Sequence, residues 1–290
     1  MSNLNLPFPD AFGGALRTQE KAEFTVLGVP FDGKSSFRKG AAGGPDAIRQ
    51  ASTVKSINSF TESGVDLAHD TTIIDAGNIA FAGDYGSYIT SIEQKISEIL
   101  QTDSVPVVLG GDHSIAYPVV RGMLNKYRSL NIVWLDAHPD IYPDYDGDRY
   151  SHACPMARIL ELNGIGTVVQ AGIRATARNL DNSLQKAGVR VITTTRFEEV
   201  AGLALPGPTY LSVDIDILDP AYAPGVGNPV PGGISTRQLI DTIHSFNLSI
   251  VGLDVVEVNP DYDHASITAA AAAKIAIEII GHIVSTRQNE

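Results

Sequence analysis

One segment, residues 105–140, decides the fold class: V-P-V-V-L-G-G-D-H-S-I-A-Y-P-V-V-R-G-M-L-N-K-Y-R-S-L-N-I-V-W-L-D-A-H-P-D. Two short apolar runs, 105–109 and 131–135, flank a helical pattern over 115–127, for which Ser114 is the expected N-cap. Neither run shows the polar alternation of a strand with one solvent face. Such runs are typical of strands that are buried on both faces of a parallel sheet.

The same strand–helix alternation continues outward in both directions. Six further apolar runs predict strands at 24–29, 71–75, 167–171, 189–193, 209–213 and 249–255. Helical patterns lie between them at 45–53, 86–101, 153–163, 175–187, 235–246 and 266–284. We therefore expect an α/β fold with one doubly wound parallel sheet. No break in composition divides the chain, so we expect a single domain over 1–290.

Composition excludes several classes of function. The 290 residues include 21 basic and 33 acidic side chains, a net charge of −12, which argues against a general nucleic-acid binder. Cys154 is the only cysteine, so neither an intrachain disulfide nor a cysteine-rich zinc site is expected. Residues 1–14 lack the features of a signal peptide, and 269–280 is too short and too charged for a membrane span. We expect a cytoplasmic protein.

Polar groups are concentrated where predicted strands end, which is where ligands bind in open α/β sheets. His113 follows the run 105–109, and D-A-H-P-D at 136–140 follows the run 131–135. Asp214 and Asp216 end the run that begins at 209, and Glu257 comes after the last run. Alternate side chains of an extended segment share one face, so these acids and histidines are expected to converge.

The convergent set predicts a metal centre. Its members are two imidazoles and four carboxylates: His113, Asp136, His138, Asp140, Asp214 and Asp216. Buried carboxylates need a compensating cation, and six such ligands suit two divalent ions, with Mn²⁺ favoured by the oxygen-rich mixture. Two adjacent metals activate a water for hydrolysis. The alternatives are a capped, hydrogen-bonded turn at 136–140 and arginine or backbone partners for Asp214 and Asp216.

The motifs resemble those of the ureohydrolases, the family of arginase, agmatinase and guanidinobutyrase. The similar blocks are G-G-D-H-S at 110–114, D-A-H-P-D at 136–140, S-H-A at 151–153 and S-V-D-I-D-I-L-D-P-A at 212–221. The block at 28–49, G-V-P-F-D-G-K-S-S-F-R-K-G-A-A-G-G-P-D-A-I-R, is most similar to agmatinase-type members. The resemblance implies a three-layer α/β/α fold with an eight-stranded parallel sheet, and assembly as a trimer or hexamer.

The resemblance also implies the ligand set of a binuclear Mn²⁺ site. One ion would be held by His113, Asp136, Asp140 and Asp214. The other would be held by Asp136, His138, Asp214 and Asp216, so that Asp136 and Asp214 bridge. Ni²⁺, Co²⁺ and Zn²⁺ are alternative occupants of such a site.

Three residues take catalytic roles by the same resemblance. Asp140 would receive the proton of the nucleophile and help pass it to the leaving amine. His152 matches a histidine on a flexible loop that exchanges protons with solvent, a task that suits an imidazole. Glu257 matches the glutamate that pairs with the guanidinium group of the substrate. The products would be urea and an amine.

The substrate is predicted from the loop 141–150, I-Y-P-D-Y-D-G-D-R-Y. Its three aspartates would repel a carboxylate and attract an ammonium, which favours agmatine, giving putrescine and urea, over arginine. Guanidinobutyrate, guanidinopropionate and guanidine remain alternatives, with Arg149 or Arg174 as partners for a carboxylate. Asn228 stands where agmatinase-type members usually have threonine, which leaves the exact substrate open.

Two rival functions differ in how many functional residues they retain. A single-zinc amide hydrolase, similar to the deacetylases, keeps fewer metal ligands. A silent regulatory subunit would lose a metal ligand, His152 or Glu257, and none is lost here. We therefore expect an enzyme whose partners are a small guanidino substrate and further copies of itself, with neither nucleic acid nor membrane involved.

Overall fold

The computed structural model describes residues 11–15, 21–53, 57–81, 83–176 and 178–288. Its centre is an eight-stranded sheet, and every strand pair in it is parallel. The strands are β1 Phe24–Val29, β2 Ile73–Asn78, β3 Val105–Gly110, β4 Leu130–Leu135, β5 Ile165–Ile173, β6 Arg190–Thr193, β7 Ala204–Asp214 and β8 Asn247–Val256. All eight predicted strands are confirmed, although β5 and β7 extend well beyond the predicted runs.

The strand order is β2-β1-β3-β8-β7-β4-β5-β6. The four central strands, β3, β8, β7 and β4, are those whose carboxyl ends carry the predicted site residues. Neighbouring strands lie about 4.8 Å apart. Residues that follow these four strands are therefore neighbours in space, although they come from distant parts of the sequence.

Within the part of the chain that the structure describes, seven α-helices cover the sheet in two layers. They are α1 Gly44–Ala51, α2 Tyr85–Gln101, α3 Ala116–Leu124, α4 Pro155–Leu160, α5 Arg178–Lys186, α6 Thr236–Ser245 and α7 Ile267–Gln288. Alternate residues of one strand point to different layers: Val133 and Leu135 join the core shared with α1, α6 and α7, whereas Ile132 and Trp134 join the core shared with α2 and α3. The predicted three-layer α/β/α fold is confirmed.

The start of α3 differs from the prediction. A 3₁₀ turn, His113–Ile115, precedes the helix, and its N-cap is Asp112 instead of Ser114. The Asp112 carboxylate accepts hydrogen bonds from the backbone N–H of Ser114, at 3.1 Å, and from its hydroxyl group. The tight turn places the His113 side chain directly above the end of β3.

The last helix, α7, is apolar enough and long enough to cross a membrane by composition alone. However, 83% of its apolar window is buried inside the protein. Its alanines and isoleucines pack in the core shared with α1 and α6. The helix is therefore a core element of the fold, in agreement with the helix predicted at 266–284.

Candidate active site

Residues at the carboxyl ends of β4, β5, β7 and β8 form one wall of a cavity of about 410 Å³. The cavity is lined by His138, Pro139, Asp140, Tyr142, Tyr145, His152, Arg174, Asp214, Asp216, Asn228 and Glu257, together with Ser36, Ala153, Ala175 and Thr176. Its volume lies in the range of small-molecule sites. All three predicted catalytic residues and four of the six predicted metal ligands line it, and the other two ligands lie directly behind them.

His113 is the centre of a first group of ligands. Its Nδ1 lies 3.1 Å from Asp136 Oδ2, 3.2 Å from Asp140 Oδ2 and 3.1 Å from Asp214 Oδ2. All four side chains are buried. Because a nitrogen and three carboxylate oxygens converge on one point, the group has the donors that a divalent cation requires.

A second group surrounds His138. Its Nδ1 lies 2.8 Å from Asp216 Oδ2 and 3.6 Å from Asp136 Oδ1. Asp136 therefore presents one oxygen to each group, as expected of a bridging carboxylate. Asp214, the other predicted bridge, contacts His113 through Oδ2, while its Oδ1 accepts a hydrogen bond of 2.8 Å from the backbone N–H of Asp216.

The hydrogen bonds behind His113 show that its Nδ1 suits a metal. The Ser212 hydroxyl donates to Asp254 Oδ1 at 2.7 Å, so its oxygen accepts from His113 Nε2 at 2.9 Å. With its proton on Nε2, the ring presents a lone pair at Nδ1. That atom is buried without a hydrogen-bond partner and faces three carboxylate oxygens. A cation among these atoms would satisfy all of them.

The electrostatics of the two groups also call for cations. Burial, together with neighbouring carboxylates, raises the pKa of Asp214 well above its usual range. Burial and then Asp136 raise the pKa of Asp140 to about 6. Burial lowers the pKa of His138, but Asp216 and Asp136 outweigh it and raise that pKa to about 12. Four buried carboxylates face two imidazoles, and two divalent ions would balance the four negative charges.

Three supporting residues were missed or misjudged from the sequence. Trp134 stacks on the His113 ring with centroids 3.9 Å apart and donates from Nε1 to Asp136 Oδ2 at 2.8 Å. Ser212 and Asp254 orient His113 from behind, and neither was singled out. The sequence did carry a signal for both. Ser212 is a polar residue two positions before the ligand Asp214, and Asp254 is an acid inside an apolar strand.

His152, which the resemblance identifies with a proton-exchanging histidine on a flexible loop, is largely buried. Its Nδ1 lies 2.9 Å from Glu257 Oε1. Burial lowers the pKa of His152, but the Glu257 carboxylate outweighs this and raises that pKa to about 9. Glu257 Oε1 also accepts from the backbone N–H of His113 at 2.9 Å, which ties the pair to the metal ligands.

Two of the predicted catalytic residues have strained backbones. Asp140 has a φ of 46° and Glu257 a φ of 64°, a left-handed conformation that residues other than glycine rarely adopt. Such conformations cluster at functional sites, where the surrounding structure enforces them. The strain at both positions supports a functional role for these two carboxylates.

The part of the cavity lining that lies outside the metal ligands and the His152–Glu257 pair, here called the far wall, differs from the prediction. None of the aspartates of the loop 141–150 lines the cavity, and from that loop only Tyr142 and Tyr145 do. Arg149 pairs with Glu161 at 3.2 Å. Arg174 lines the cavity, but its guanidinium donates to backbone carbonyls, among them those of Asp216 at 2.6 Å and Val230 at 2.8 Å. Neither arginine is placed to bind a substrate carboxylate.

Cys154 lies next to the site, two residues after His152. Its side chain is buried, and burial, followed by the charge of Asp140, raises the pKa of the thiol to about 12. A nucleophilic cysteine needs a lowered pKa, because the thiolate is the reactive form. The cysteine therefore lies near the site without the character of a nucleophile.

Comparison with known proteins agrees with this geometry. The chain matches the model of the arginase family over residues 22–281. It is 36% identical to arginase 1 of Arabidopsis thaliana over 91% of this chain and 82% of that protein. It is 34% identical to the agmatinase of Bacillus subtilis over 94% of this chain and 98% of that protein. The crystal structure of a hypothetical agmatinase from Burkholderia thailandensis superposes with a TM-score of 0.85 at 32% identity, covering 96% of this chain and 92% of that one. The chain therefore belongs to the arginase family, ureohydrolases that act on guanidino compounds with a binuclear metal centre.

Proposed function

We propose that this protein hydrolyses agmatine to putrescine and urea. The observation that carries the hydrolytic part is the convergence of two metal-ligand groups and the His152–Glu257 pair on one cavity. The choice of agmatine is supported by the residues of the far wall, since the relatives include both arginases and agmatinases at similar identity.

The donor set fits two hard divalent ions, and we propose Mn²⁺. His113, Asp136, Asp140 and Asp214 would hold one ion, and Asp136, His138, Asp214 and Asp216 the other. Ions held there would lower the pKa of a bound water and so supply a nucleophile at neutral pH.

The chain itself positions the guanidinium group and moves the protons. Glu257 uses Oε1 for its hydrogen bonds to His113 and His152, which leaves Oε2 for the N–H groups of a guanidinium. Asp140 lies at the cavity wall, where its carboxylate can accept the proton of the nucleophile. His152 then returns a proton to the leaving amine.

The tail of the substrate faces two tyrosines. The rings of Tyr142 and Tyr145 are 5.4 Å apart and meet edge to face at 81°. Aromatic faces attract ammonium groups, and agmatine ends in one. Within the described residues that line the cavity, Arg174 is the only arginine or lysine, and backbone carbonyls occupy its N–H groups. A carboxylate tail would therefore find little compensation here.

Arginine is the second candidate. Asn228 lines the same wall, and its amide N–H groups are suitable donors to a carboxylate. The similarity to plant arginases is as high as the similarity to bacterial agmatinases. Either substrate would use the same metal ligands and the same proton-transfer residues.

The test is urea release by the Mn²⁺-loaded protein from agmatine, arginine, 4-guanidinobutyrate, 3-guanidinopropionate and guanidine. We expect kcat/KM to be highest for agmatine. The variant Tyr145→Leu should lower kcat/KM for agmatine by about two- to thirtyfold, whereas Tyr145→Phe, which keeps the ring, should not.

The outcomes separate the two parts of the proposal. Preference for arginine, for another carboxylate-tailed compound or for guanidine would overturn agmatine and leave the hydrolytic mechanism intact. Absence of urea from every compound, with two ions bound per chain, would overturn the amidinohydrolase function itself.

A further inference from the structure

We propose that Ser36 positions His152 and that its hydroxyl group carries protons between His152 and the cavity. Ser36 lies in the block 28–49. Neither the sequence motifs nor the metal site assigns a role to this serine. The inference rests on the proposed function, because it concerns the proton that His152 delivers. It starts from the two ring nitrogens of His152, which both have partners: Nδ1 contacts Glu257, and Nε2 contacts Ser36.

Ser36 contacts the ring nitrogen of His152 that Glu257 does not occupy. The Ser36 hydroxyl oxygen lies 2.8 Å from His152 Nε2, and the backbone N–H of Ser36 donates to the same atom at 3.1 Å. Ser36 is itself exposed and lines the cavity. It therefore connects Nε2 of the imidazole with the space that substrate and water occupy.

These contacts fix the tautomer of the neutral ring. A backbone N–H can only donate, so Nε2 must present a lone pair to it, and the proton of neutral His152 is on Nδ1, directed at Glu257 Oε1. A proton that converts neutral His152 to the imidazolium must therefore bind at Nε2. The hydroxyl group of Ser36 is the contact that can both donate to and accept from that atom.

The loop that carries Ser36 is tied to the segment that carries His152. The backbone N–H of His152 donates to the Lys34 carbonyl at 3.2 Å. The backbone N–H of Lys34 donates to Asp112 Oδ2 at 2.9 Å, and Lys34 Nζ pairs with Asp148 at 2.6 Å. Asp112 is fully buried, so this attachment is rigid. Ser36 and His152 consequently keep their separation.

The proton transfer balances without any other reactant. Ser36 gives its hydroxyl proton to His152 Nε2 and takes one from a water or ammonium group on the cavity side, so that its own charge does not change. In the reverse direction, the Nε2–H of the imidazolium donates to the Ser36 oxygen, which passes a proton outward. Glu257 stabilises the imidazolium throughout.

The experiment compares Ser36→Ala, Ser36→Thr and, as a matched control on the same loop, Ser35→Ala. The Ser35 hydroxyl lies 3.5 Å from Asp112, at the limit of a hydrogen bond, so its loss should leave activity unchanged. Ser36→Ala should lower kcat about tenfold, less than the loss of a general acid–base group, and leave KM and metal content unchanged. Ser36→Thr should restore most of kcat, and added imidazole should raise the rate of Ser36→Ala alone.

A measurement without turnover accompanies the kinetics. In ¹⁵N NMR spectra, neutral His152 of the wild-type protein should carry its proton on Nδ1. Equal kcat for Ser36→Ala and wild type, or a proton on Nε2 of neutral His152, would overturn the proposal. Failure of the proposed function is distinguishable, because the wild-type protein would then release no urea while the NMR result would still stand.

Discussion

Two clusters of buried acids in this molecule differ in how their charge is compensated. The strand-end cluster consists of His113, Asp136, His138, Asp140, Asp214 and Asp216. The helix cluster is centred on Glu278 of α7, which is fully buried. Glu278 receives hydrogen bonds from Lys274, from His244 Nε2 at 2.7 Å and from the backbone N–H of Glu62 at 3.1 Å.

The difference lies in the source of the compensating charge. In the helix cluster, one buried carboxylate has a lysine, a histidine and a backbone N–H, all supplied by the chain. In the strand-end cluster, four carboxylates share two imidazoles, and one imidazole nitrogen has no hydrogen-bond partner. A buried acid with partners from its own chain stabilises the fold, whereas a deficit of partners marks a site for an external cation.

The largest effect is expected from Asp136→Asn, which removes the carboxylate shared by the two ligand groups. We expect loss of at least one metal ion and more than a hundredfold loss of activity, a larger effect than that of residues outside the ligand set. Metal content by mass spectrometry and urea release check it. Asp146→Asn, in the exposed loop, is the control, and full metal content with full turnover in Asp136→Asn would refute the binuclear assignment.

A smaller effect is expected from Ser212→Ala, which removes the hydroxyl group behind His113. Without it the His113 ring loses the acceptor that holds its proton on Nε2, so metal affinity should fall about 10- to 100-fold. A metal titration measures this, with kcat at saturating metal as the second readout. The half-buried Ser91→Ala on α2, far from His113 in the sequence, serves as control, and unchanged affinity in Ser212→Ala would show that the hydroxyl does not tune the site.

The smallest effect on activity is expected from Glu278→Gln in the helix cluster. The change removes the negative charge that Lys274 and His244 contact, so the free energy of unfolding should fall by about 1–3 kcal/mol. Metal content and kcat should not change. Denaturant unfolding measures the loss, and Glu98→Gln in an exposed pair with Lys95 should change stability by less than about 0.5 kcal/mol. Loss of metal from Glu278→Gln would mean that the two clusters are coupled.

Local sequence patterns were sufficient for the strands and for the acids and histidines that the structure brings together. The strands β3 and β4 are buried along their whole length, so apolar runs without alternation located them. Asp136 and His138 follow such a run directly, and the sequence itself shows their proximity. The order of strands was not predictable from these patterns, because crossover connections decide which strand ends become neighbours.

Contacts between distant segments were the part that sequence patterns could not predict. His152 lies 105 positions from Glu257 and 116 from Ser36 in the chain, and no periodicity links them. The prediction that the aspartates of the loop 141–150 face the substrate was wrong for a related reason. Its composition suggested an ammonium site, but a tight turn at 145–148 keeps its aspartates off the cavity, and only Tyr142 and Tyr145 reach the wall. Composition does not say which way a loop faces.

Trp134 gives the protein a built-in optical reporter. It is the only tryptophan in the chain, and its indole stacks on one ligand and donates to another. Excitation at the red edge of the tryptophan absorption band therefore excites a single fluorophore next to the metal centre. A paramagnetic ion such as Mn²⁺ should quench its emission and a diamagnetic ion such as Zn²⁺ should do so far less, so site occupancy can be followed in solution without labels.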